Sequence, residues 1–342
     1  MKILITGGAG LVGTECCKLF SENGWEVISV DNFMRGKIFG SDGNTKNNMD
    51  KITREYNIEN HEIDLRDKKI IDLIKKSDAI IHAAAQPSHP RSIEIPLDDF
   101  QINAWGTLSL LENVRQHNHD IPFVFCSTNK VYGEKPNEFE YKKVGKRFEP
   151  VDKKIENGFD ENLSIDHIMH TPFGVSKVAA DLYTQEYAKL YGLKAASFRM
   201  GCITGSAAKA VEMHNWEPFF VKRAMDGKML HVYGHGGYQV RDVIHAADLA
   251  KLFMEYIKKP RPGEAYNIGG ARQNSISLLE SFDIIEEITG NKMKYDLKPE
   301  READHMWWIS DITKVRTHYP NWGIRINLKH VFTEIYEALS KQ

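Results

Sequence analysis

Cysteine is scarce in this sequence. Its 342 residues include four, Cys16, Cys17, Cys126 and Cys202, and their spacing does not match the paired motifs of zinc sites. Three of the four lie in apolar surroundings. We therefore expect reduced core cysteines, as in cytosolic proteins, and neither a disulfide framework nor a structural metal.

An excess of charge of either sign is also missing. The chain has 45 Lys and Arg against 47 Asp and Glu, a formal net charge of −2. Binding to nucleic acid or to an anionic membrane through overall charge requires a marked positive excess. We expect neither as a partner.

Long hydrophobic runs are absent as well. No apolar stretch reaches the roughly 20 residues of a transmembrane helix, and Met1 leads directly into a short apolar run, which leaves no room for a signal peptide. We expect a cytoplasmic protein. Its length allows a large core, arranged as one large or two intimate domains.

The start of the chain carries the strongest pattern. Residues 2–6 are typical of a buried parallel strand, a helix is predicted over 11–23, and a second strand over 25–30 ends at Asp31. A glycine-rich turn joins the first strand to the helix. This order of strand, turn, helix, strand and acid is the one that a dinucleotide site requires.

Each glycine of that turn has a separate task. Gly7 allows the tight turn, Gly10 lets the backbone approach a pyrophosphate, and Gly13 lets the helix pack closely on the strand. The helix N-terminus at Leu11 and Val12 then offers unpaired N–H groups to phosphates. Such turns also open α/β domains that bind no ligand, but the full pattern favours a nucleotide.

Asp31 favours NAD over NADP. It follows the glycines by about 20 residues, where a carboxylate accepts hydrogen bonds from the adenosine ribose and repels a 2′-phosphate. Arg35 and Lys37 weigh the other way, because nearby cations can accommodate that phosphate. Residues 36–57 are polar and are predicted to form a surface insertion, with a loop followed by a short helix over 49–56.

Later strand ends add candidate contacts. A strand over 58–63 closes on Asp64 and Leu65, which are able to bind the adenine edge, although a plain turn explains them equally well. A strand over 79–82 is followed by Ala83-Ala84-Ala85-Gln86, and small residues there let the backbone approach the nicotinamide ribose.

One long amphipathic helix is predicted over 98–117. Within it, Asn103 is able to bridge backbone and catalytic groups, or simply to satisfy a helix carbonyl. A fifth strand over 122–127 leads to Ser127-Thr128-Asn129-Lys130-Val131-Tyr132-Gly133, at the sheet edge where doubly wound folds bind ligands. The fold class is therefore α/β, with a doubly wound parallel sheet.

These motifs together resemble the extended short-chain dehydrogenase/reductase family, the nucleotide-sugar epimerases and dehydratases. The resemblance spans essentially the whole chain and rests on Thr6-Gly7-Gly8-Ala9-Gly10-Leu11-Val12-Gly13, His82-Ala83-Ala84-Ala85, Asn103-Ala104-Trp105-Gly106-Thr107, the segment from Ser127 to Gly133, Phe198-Arg199 and Gln239-Val240-Arg241-Asp242-Val243-Ile244-His245. It implies a Rossmann domain over 1–202, to which parts of 236–268 return, and a smaller nucleotide-sugar lobe over 203–342.

A narrower resemblance concerns one branch of that family. The segment 127–133, with a long insertion before the catalytic helix, is similar to the CDP-paratose (CDP-tyvelose) 2-epimerases. It implies NAD-dependent epimerisation of a CDP-sugar at C2, by oxidation to a keto-sugar and re-reduction. Two alternatives stay open: a dehydratase, which needs an acid pair where this chain has Asn129-Lys130, and an inactive binder.

Pattern and resemblance together nominate the site. Cofactor contacts are assigned to Gly7, Gly10, Leu11, Val12, Gly13, Asp31, Asn32, Arg35, Asp64, Leu65, Ala83, Ala84, Ala85, Asn103 and Lys177. Substrate contacts are assigned to Gln86, Thr128, Asn129, Lys130, Arg241, Arg301 and Asp304. By resemblance, the two arginines grip the diphosphate and Asp304 a ribose hydroxyl; exposed helix salt bridges are the alternative.

The catalytic helix departs from the family pattern. The family places a Tyr one turn before the Lys, and Lys177 fits the Lys, but the Tyr position holds Phe173, which has no ionisable proton. The Phe is either an engineered trap, a natural variant that uses another base, or the mark of a binder. Some sequences resembling the branch carry Phe-Gly-x-Ser-Lys here, which favours the natural variant.

Lys130 and His170 are the candidate substitute bases, with Thr128 holding the substrate oxygen and Asn129 positioning it. Lys130 requires a pKa depressed by burial near Lys177, whereas a histidine starts near neutrality. A structural role, such as pairing with Asp166, explains either equally well. We expect no metal at Asp166, His167 and His170, since no further ligand has suitable spacing.

The remaining segments yield broader expectations. Residues 134–160 are predicted to be a lid or rim loop, or else a tolerated surface insertion. Residues 213–218 offer Trp216 to cover a base and sugar, or as a core anchor. Amphipathic helices are predicted over 278–289 and 328–340. The helices over 98–117 and 178–191 resemble those through which the family forms homodimers, and the apolar residues compatible with that are Leu108, Leu111 and Val114.

Overall fold

Fifteen strands run through the residues that the computed structural model describes, 1–212 and 214–341. In chain order they are β1 (Lys2–Thr6), β2 (Glu26–Val30), β3 (Ile58–His61), β4 (Ala79–His82), β5 (Pro122–Thr128), β6 (Tyr141–Val144), β7 (Arg147–Pro150), β8 (Lys194–Met200), β9 (Cys202–Thr204), β10 (Leu230–Tyr233), β11 (Val240–His245), β12 (Ala265–Ile268), β13 (Ser275–Ser277), β14 (Tyr295–Lys298) and β15 (Trp307–Trp308).

Seven of them form one parallel sheet in the order β12-β8-β5-β4-β1-β2-β3. Its central strands are apolar along their length because helices cover both faces; Ile3, Leu4 and Ile5 of β1 are all fully buried. The order reverses at β1, which is the switch point where such sheets bind ligands. The predicted doubly wound α/β fold is confirmed.

Helices alternate with these strands. In chain order the α-helices are α1 (Leu11–Glu22), α2 (Met34–Phe39), α3 (Lys46–Glu55), α4 (Ile70–Lys75), α5 (His89–Glu94), α6 (Pro96–Phe100), α7 (Gly106–His117), α8 (Pro172–Tyr191), α9 (Trp216–Met225), α10 (Ala246–Lys258), α11 (Leu278–Thr289), α12 (Thr313–His318) and α13 (Leu328–Ser340).

The helix predicted over 98–117 is in fact three segments. Between α6 and α7 the chain forms a π-helical stretch, Gln101–Trp105. There the Thr107 hydroxyl donates to the carbonyl of Asn103 at 2.6 Å, and a side chain that binds a helix carbonyl loosens the regular ladder. The wider turn carries Asn103 into the protein interior.

The insertion over 36–57 is mostly exposed and ends in a helix, as predicted, but that helix is longer than expected and one side of it is buried. It forms α2 and α3, and α3 begins at Lys46, three residues before the predicted helix. Met49 and Ile52, three residues apart on one face of α3, are about 1% exposed and join the core beneath β1. The polar composition hid this narrow apolar stripe.

The segment predicted as a lid or rim loop, 134–160, includes the antiparallel hairpin β6-β7. Phe148 of the hairpin and Phe159 after it are buried in a cluster with Trp307 and Trp308. These aromatic side chains anchor a segment that is otherwise largely exposed, and whether it acts as a lid or rim stays a prediction.

The strands β9, β10, β11, β13, β14 and β15 lie outside the seven-stranded sheet and form small sheets, which we call the second lobe together with the helices packed on them. β11 pairs with β9, β13 and β15, and β10 pairs with β14. Helices α9, α11 and α13 pack together through Phe220, Phe282 and Phe332. The chain returns to the first layer through α10, which packs on α1, and through the edge strand β12.

Two general findings concern the described residues. None of their helices combines the length and the apolar character that crossing a bilayer demands. The four cysteines are unpaired, and Cys202 is half-buried while the other three are buried. Of the predicted segment 213–218, Met213 lies outside the described residues.

Candidate functional site

A cleft of about 410 Å³ opens at the carboxyl ends of the central strands and is lined from both lobes. It brings together most of the residues that the sequence nominates: Gly7, Gly10, Leu11, Val12, Gly13, Asp31, Asn32, Arg35, Asp64, Leu65, Ala83, Ala84, Ala85, Gln86, Thr128, Asn129, Lys130, Phe173 and Lys177. The nominated residues that do not line it are Asn103, His170, Arg241, Arg301 and Asp304.

The glycine turn has the close approaches that its sequence predicts. Gly7 has a φ of +71°, and a Cβ there would lie 2.6 Å from the amide nitrogen of Ala84. A Cβ on Gly13 would lie 2.2 Å from the carbonyl oxygen of Gly7. Helix and strand therefore meet at a distance that only glycine permits.

The N-terminus of α1 is open to an anion. Its N-cap, Gly10, provides no side-chain cap, and the first turn contains no acidic residue. The amides of Leu11 and Val12 have no intrahelical acceptor at this position and line the cleft. A dinucleotide diphosphate fits this end of the cleft.

Asp31 lies beside that turn, held by two backbone amides. Its carboxylate accepts from the amide of Ala9 at 3.0 Å and from the amide of Phe33 at 2.8 Å. Burial raises the pKa of Asp31, partly offset by these two hydrogen bonds. Each carboxylate oxygen keeps acceptor capacity for a ribose hydroxyl.

The adenine end of the cleft has an ion pair that the sequence did not reveal. Arg66 donates to both oxygens of Asp64, at 2.7 and 2.8 Å, and Asn32 donates to Asp64 at 2.9 Å. The Arg66 bonds lower the pKa of Asp64 to about 2. The side chain of Leu65 is buried against this wall.

At the opposite end, Lys177 is buried under the sheet edge. Its ammonium donates to the carbonyl of Cys126 at 2.6 Å and lies 4.3 Å from the centre of the Phe125 ring. Burial lowers its pKa to about 8. Phe173, one turn earlier on α8, lines the cleft with a side chain that has no proton to exchange.

Lys130 is the second basic group at this end. Its Nζ donates to the carbonyl of Ala303 at 2.9 Å and lies 3.8 Å from Oδ1 of Asp304. Burial lowers its pKa to about 8, against the opposing effect of Asp304. The neighbouring cation that further lowers the pKa of Lys130 is Arg241 and not Lys177. The predicted lowering of this pKa is therefore found, but the predicted neighbour is wrong.

Thr128 and Asn129 hold the turn that carries Lys130. The Thr128 hydroxyl accepts from the amide of Lys130 at 3.2 Å and donates to the side-chain oxygen of Asn129 at 3.4 Å. Both of those bonds are long, so the hydroxyl is free to exchange them for a stronger one to a ligand.

His170 is outside the cleft. Its ring nitrogens face the carbonyl oxygens of Val131, at 2.9 Å, and Ile168, at 3.1 Å. With both nitrogens occupied by backbone, the ring ties the loop before α8 to the segment after β5. This geometry favours the structural role over that of a base.

Gln86 and Asn103 belong to a buried polar network rather than presenting free groups to a ligand. Gln86 donates to Asp99 at 2.7 Å and to Ser88, and Asn103 donates to Asp99 at 3.1 Å and to Ser176 at 3.2 Å. Asn103 also accepts from the Gln86 amide at 2.9 Å. The network fixes the loop after β4 against α8.

Arg241 and Arg301, the residues nominated to bind the diphosphate, contact other side chains of the protein. Arg241 donates to Asp304 at 2.7 Å, and the guanidinium of Arg301 stacks 3.9 Å from the centre of the Tyr233 ring. Arg241 and Lys130 hold the pKa of Asp304 well below its usual range. These groups meet the cleft through Lys130, which lines it.

A second network explains two motifs whose purpose the sequence left open. Arg199 makes two bonds to Asp181, at 2.8 and 3.2 Å, and one to the hydroxyl of Tyr132 at 2.9 Å. Asp181 also accepts from Ser127 at 2.6 Å. The strand end that carries the catalytic candidates is thereby fixed to α8 and β8.

Sequence reasoning missed several residues that line the cleft: His89, Lys209, His214 and Glu217. Glu217 is about 1% exposed, and burial raises its pKa to about 8. Trp216 packs on Phe220, as expected of a core anchor, and also lines the cleft, where its contact with a base and sugar stays a prediction. Lys209 and His214 come from an irregular segment, whereas His89 and Glu217 lie in the first turns of α5 and α9, and no local pattern marks any of the four as cleft-lining.

No group of three His, Cys, Asp or Glu side chains is close enough to hold a metal ion within residues 1–212 and 214–341. Asp166, His167 and His170 therefore form no metal cluster with one another there.

Comparison with known proteins identifies the family and similar sequences. The model of the NAD dependent epimerase/dehydratase family matches residues 3–269. The chain is 35% identical over 351 residues to a CDP-paratose 2-epimerase of Salmonella typhi, covering 99% of each chain. It is 30% identical to a dTDP-glucose 4,6-dehydratase of Escherichia coli, covering 85% of this chain and 78% of that one.

A solved structure shares the fold. The UDP-glucose 4-epimerase of Thermus thermophilus, in complex with NAD, superposes with a TM-score of 0.79 at 24% identity and covers 99% of both chains.

Proposed function

The chain belongs to the NAD-dependent epimerase/dehydratase family, its cofactor is NAD, and on that premise we propose that it epimerises a nucleotide-activated sugar. The observation that carries the proposal is Lys130, a buried amine that lines the same cleft as Phe173 and whose pKa burial lowers to about 8. It supplies a base where the phenol of the family is missing. The likeness to a CDP-paratose 2-epimerase favours a CDP-sugar and the carbon C2.

The cofactor fits the cleft from the glycine turn to Lys177. The amides of Leu11 and Val12 would hold its diphosphate, and Asp31 its adenosine ribose. Lys177, directed into the cleft from α8, would hold the nicotinamide ribose. Bound NAD supplies a hydride acceptor that returns the same hydride, so the net redox change is zero.

Lys130 moves the proton. In its neutral form the amine retains an N–H for the carbonyl of Ala303 and a lone pair for a sugar hydroxyl. The hydroxyl proton passes to Nζ as the carbon on that oxygen loses its hydride. The proton goes back to the oxygen when the hydride returns to the other face of the sugar, which balances both charges.

Thr128 and Asn129 would position the reacting oxygen. The hydroxyl of Thr128 is able to exchange its 3.4 Å bond to Asn129 for one to the sugar oxygen. Such a bond strengthens as the oxygen gains negative charge, and so it favours the transition state over the bound substrate.

The nucleotide diphosphate would be held by Arg241 and Arg301. A guanidinium fork matches phosphate oxygens, and Asp304, ionised and next to Arg241, is suited to a ribose hydroxyl. Substrate binding would then have to exchange the Arg241–Asp304 bond for bonds to the ligand. The pair keeps both charges satisfied until that exchange.

The dehydratase reading is weaker. Elimination of water from the sugar needs a positioned acid and base next to the Thr, whereas this chain has Asn129, which does not ionise, and Lys130. A catalytically inactive binder is the third reading. The inactive binder is suggested by Phe173 alone, and it gives no functional reason for the buried Lys130 in the cleft.

A homodimer is proposed through α6 and α8. Leu111 and Val114, expected at a dimer face, are buried in the core of the chain itself, and Leu108 packs on the same cluster. A different set of large apolar side chains is exposed on the packed pair α6 and α8 and the π segment: Leu97, Phe100, Trp105, Val175 and Leu182. A two-fold partner would cover them.

Turnover tests the proposal. Purified protein is incubated separately with CDP-paratose, UDP-glucose and dTDP-glucose, and the products are resolved by NMR. Conversion of the CDP-sugar to its C2 epimer supports the proposal. Formation of a 4-keto-6-deoxy sugar would favour the dehydratase, and no conversion by protein that holds NAD would favour the binder.

A further inference from the structure

Three basic side chains, Arg35, Lys209 and His214, line one part of the cleft, which we call the basic wall. Arg35 comes from α2 in the first lobe, and Lys209 and His214 come from the segment between β9 and α9 in the other. All three line the cleft, as does Asp31. Lys37, the other cation that the sequence suggests for a phosphate, is exposed and does not line it.

The charge on this wall is uncompensated. Neither Arg35 nor Lys209 forms an ion pair with a carboxylate of residues 1–212 or 214–341. The Nη1 of Arg35 donates to Nδ1 of His214 at 3.2 Å, and its Nη2 is buried with no hydrogen-bond partner. The guanidinium also lies over the Phe39 ring, 4.8 Å from its centre. A guanidinium does not lose its proton in a protein, so the charge persists, and a largely buried charge without a counter-ion is costly.

Burial disfavours the charged forms of all three groups, and the charge of Arg35 adds to this for Lys209 and His214. Burial lowers the pKa of Arg35 to about 10, and burial and then Arg35 lower the pKa of Lys209. The same two causes lower the pKa of His214 to about 3, so its ring is neutral and accepts from Arg35. An anion between the two cations would relieve both.

The side chain of Asn48 links the glycine turn to the segment that carries Lys209, and we call this pair of hydrogen bonds the clasp. Nδ2 of Asn48, on α3, donates to the carbonyl of Ala9 in the glycine turn at 3.2 Å and to the carbonyl of Ala207 at 2.9 Å. Ala207 precedes Lys209 by two residues. Asn48 thus ties the segment that carries Lys209 to the turn beneath the cofactor.

We propose that Arg35 and Lys209 form a phosphoryl-binding subsite for the dinucleotide, one cation from each lobe, with His214 orienting Arg35 and Asn48 positioning Lys209. The inference rests on the assignment of the cofactor and deepens it. The phosphoryl group has two sources, the diphosphate that NAD and NADP share and the ribose 2′-phosphate that NADP alone carries.

Titration calorimetry with NAD and with NADP tests the subsite. Wild-type protein, freed of nucleotide and checked for folding by circular dichroism, is compared with Arg35→Gln and Lys209→Gln. Lys37→Gln, which removes an exposed cation from the same helix as Arg35, is the matched control. Loss of a charge-assisted contact is expected to weaken binding by about tenfold in both test variants.

The pattern across the two nucleotides identifies the source. Equal weakening toward NAD and NADP assigns the subsite to the diphosphate, and weakening toward NADP alone assigns it to the 2′-phosphate. If both test variants bind both nucleotides as tightly as Lys37→Gln does, the subsite is refuted while the cofactor assignment stands. If the wild type binds neither nucleotide, the proposed function fails as well.

A second pair of variants tests the clasp. Asn48→Ala is expected to reproduce the nucleotide selectivity of Lys209→Gln at smaller amplitude, because it frees the segment without removing the charge. Asn47→Ala, its exposed neighbour on α3, is expected to bind like the wild type. If Asn48→Ala binds both nucleotides as tightly as the wild type, Asn48 does not position Lys209.

Discussion

Nζ of Lys130 lies 3.8 Å from Oδ1 of Asp304, the carboxylate to which Arg241 donates at 2.7 Å. The anion favours the charged amine, whereas burial disfavours it, and burial dominates. The balance leaves the pKa of Lys130 at about 8. A larger share of this amine is therefore available as a base at neutral pH than of an ordinary lysine.

The first prediction concerns pH. Since Lys130 acts in its neutral form, kcat should rise as pH passes through about 8. Asp304→Asn removes the anion that raises the pKa of Lys130, so the midpoint of the rise should move to lower pH even though the maximal rate falls. The pH profile of kcat measures both effects.

Removing the amine provides the matching test. Lys130→Gln should lower kcat by at least about a hundredfold, the usual contribution of a general base, and abolish the rise near pH 8. Lys142→Gln, at an exposed position of β6, is the control and should leave the profile unchanged. A Lys130→Gln variant with full activity would exclude Lys130 as the base.

The second prediction concerns the missing phenol. Because Lys130 already supplies the base, Phe173→Tyr should leave turnover unchanged or lower it, since the new hydroxyl enters a position that is about 7% exposed. Steady-state kinetics with the CDP-sugar would measure this. A gain of several orders of magnitude would instead mean that the chain lacks a base of its own.

The third prediction concerns the glycine turn. Gly13→Ala should lower the free energy of unfolding by about 1–3 kcal/mol, since its Cβ would lie 2.2 Å from the carbonyl oxygen of Gly7 and the turn must shift. It should also lose NAD during purification. Gly323→Ala, whose Cβ meets nothing within 4 Å, is the control. Chemical denaturation and nucleotide content are the readouts, and equal values for the two variants would contradict the close packing.

The fourth prediction concerns assembly. Leu182→Glu introduces a charge on the exposed apolar face of α8 and should convert a dimer into a monomer, as measured by light scattering during gel filtration. Leu297→Glu changes a leucine on β14 that is also exposed and should not alter the mass. A wild-type chain that is already monomeric would contradict the proposed homodimer.

The sequence was most informative where one local pattern determines one element. The run from Lys2 to Asp31 combines a buried strand, three spaced glycines and an acid, so both the element bounds and the turn could be predicted. The contact of the insertion over 36–57 with the core could not be predicted, because only Met49 and Ile52 of α3 make it and the rest of the segment is polar and mostly exposed. The break at Gln101–Trp105 depends on a side-chain bond to a carbonyl, which periodicity does not record.

For the site, strand ends were predictable and loop contributions were not. Thr128 ends β5, and Asn129 and Lys130 follow it, so all three reach the sheet edge. Lys209 and His214 belong to an irregular segment whose path depends on contacts such as that of Asn48 with Ala207. His170 was a candidate base because it precedes the catalytic helix, but its two ring nitrogens face the backbone carbonyl oxygens of Ile168 and Val131.

The most direct test of the central claim is the fate of hydrogen at C2 when CDP-paratose is incubated with the protein in D₂O. If NAD takes the hydride and returns it while Lys130 shuttles only the hydroxyl proton, mass spectrometry should find the C2 epimer without deuterium on carbon. Deuterium at C2 would contradict this account, because it would mean that the carbon had exchanged a proton with solvent.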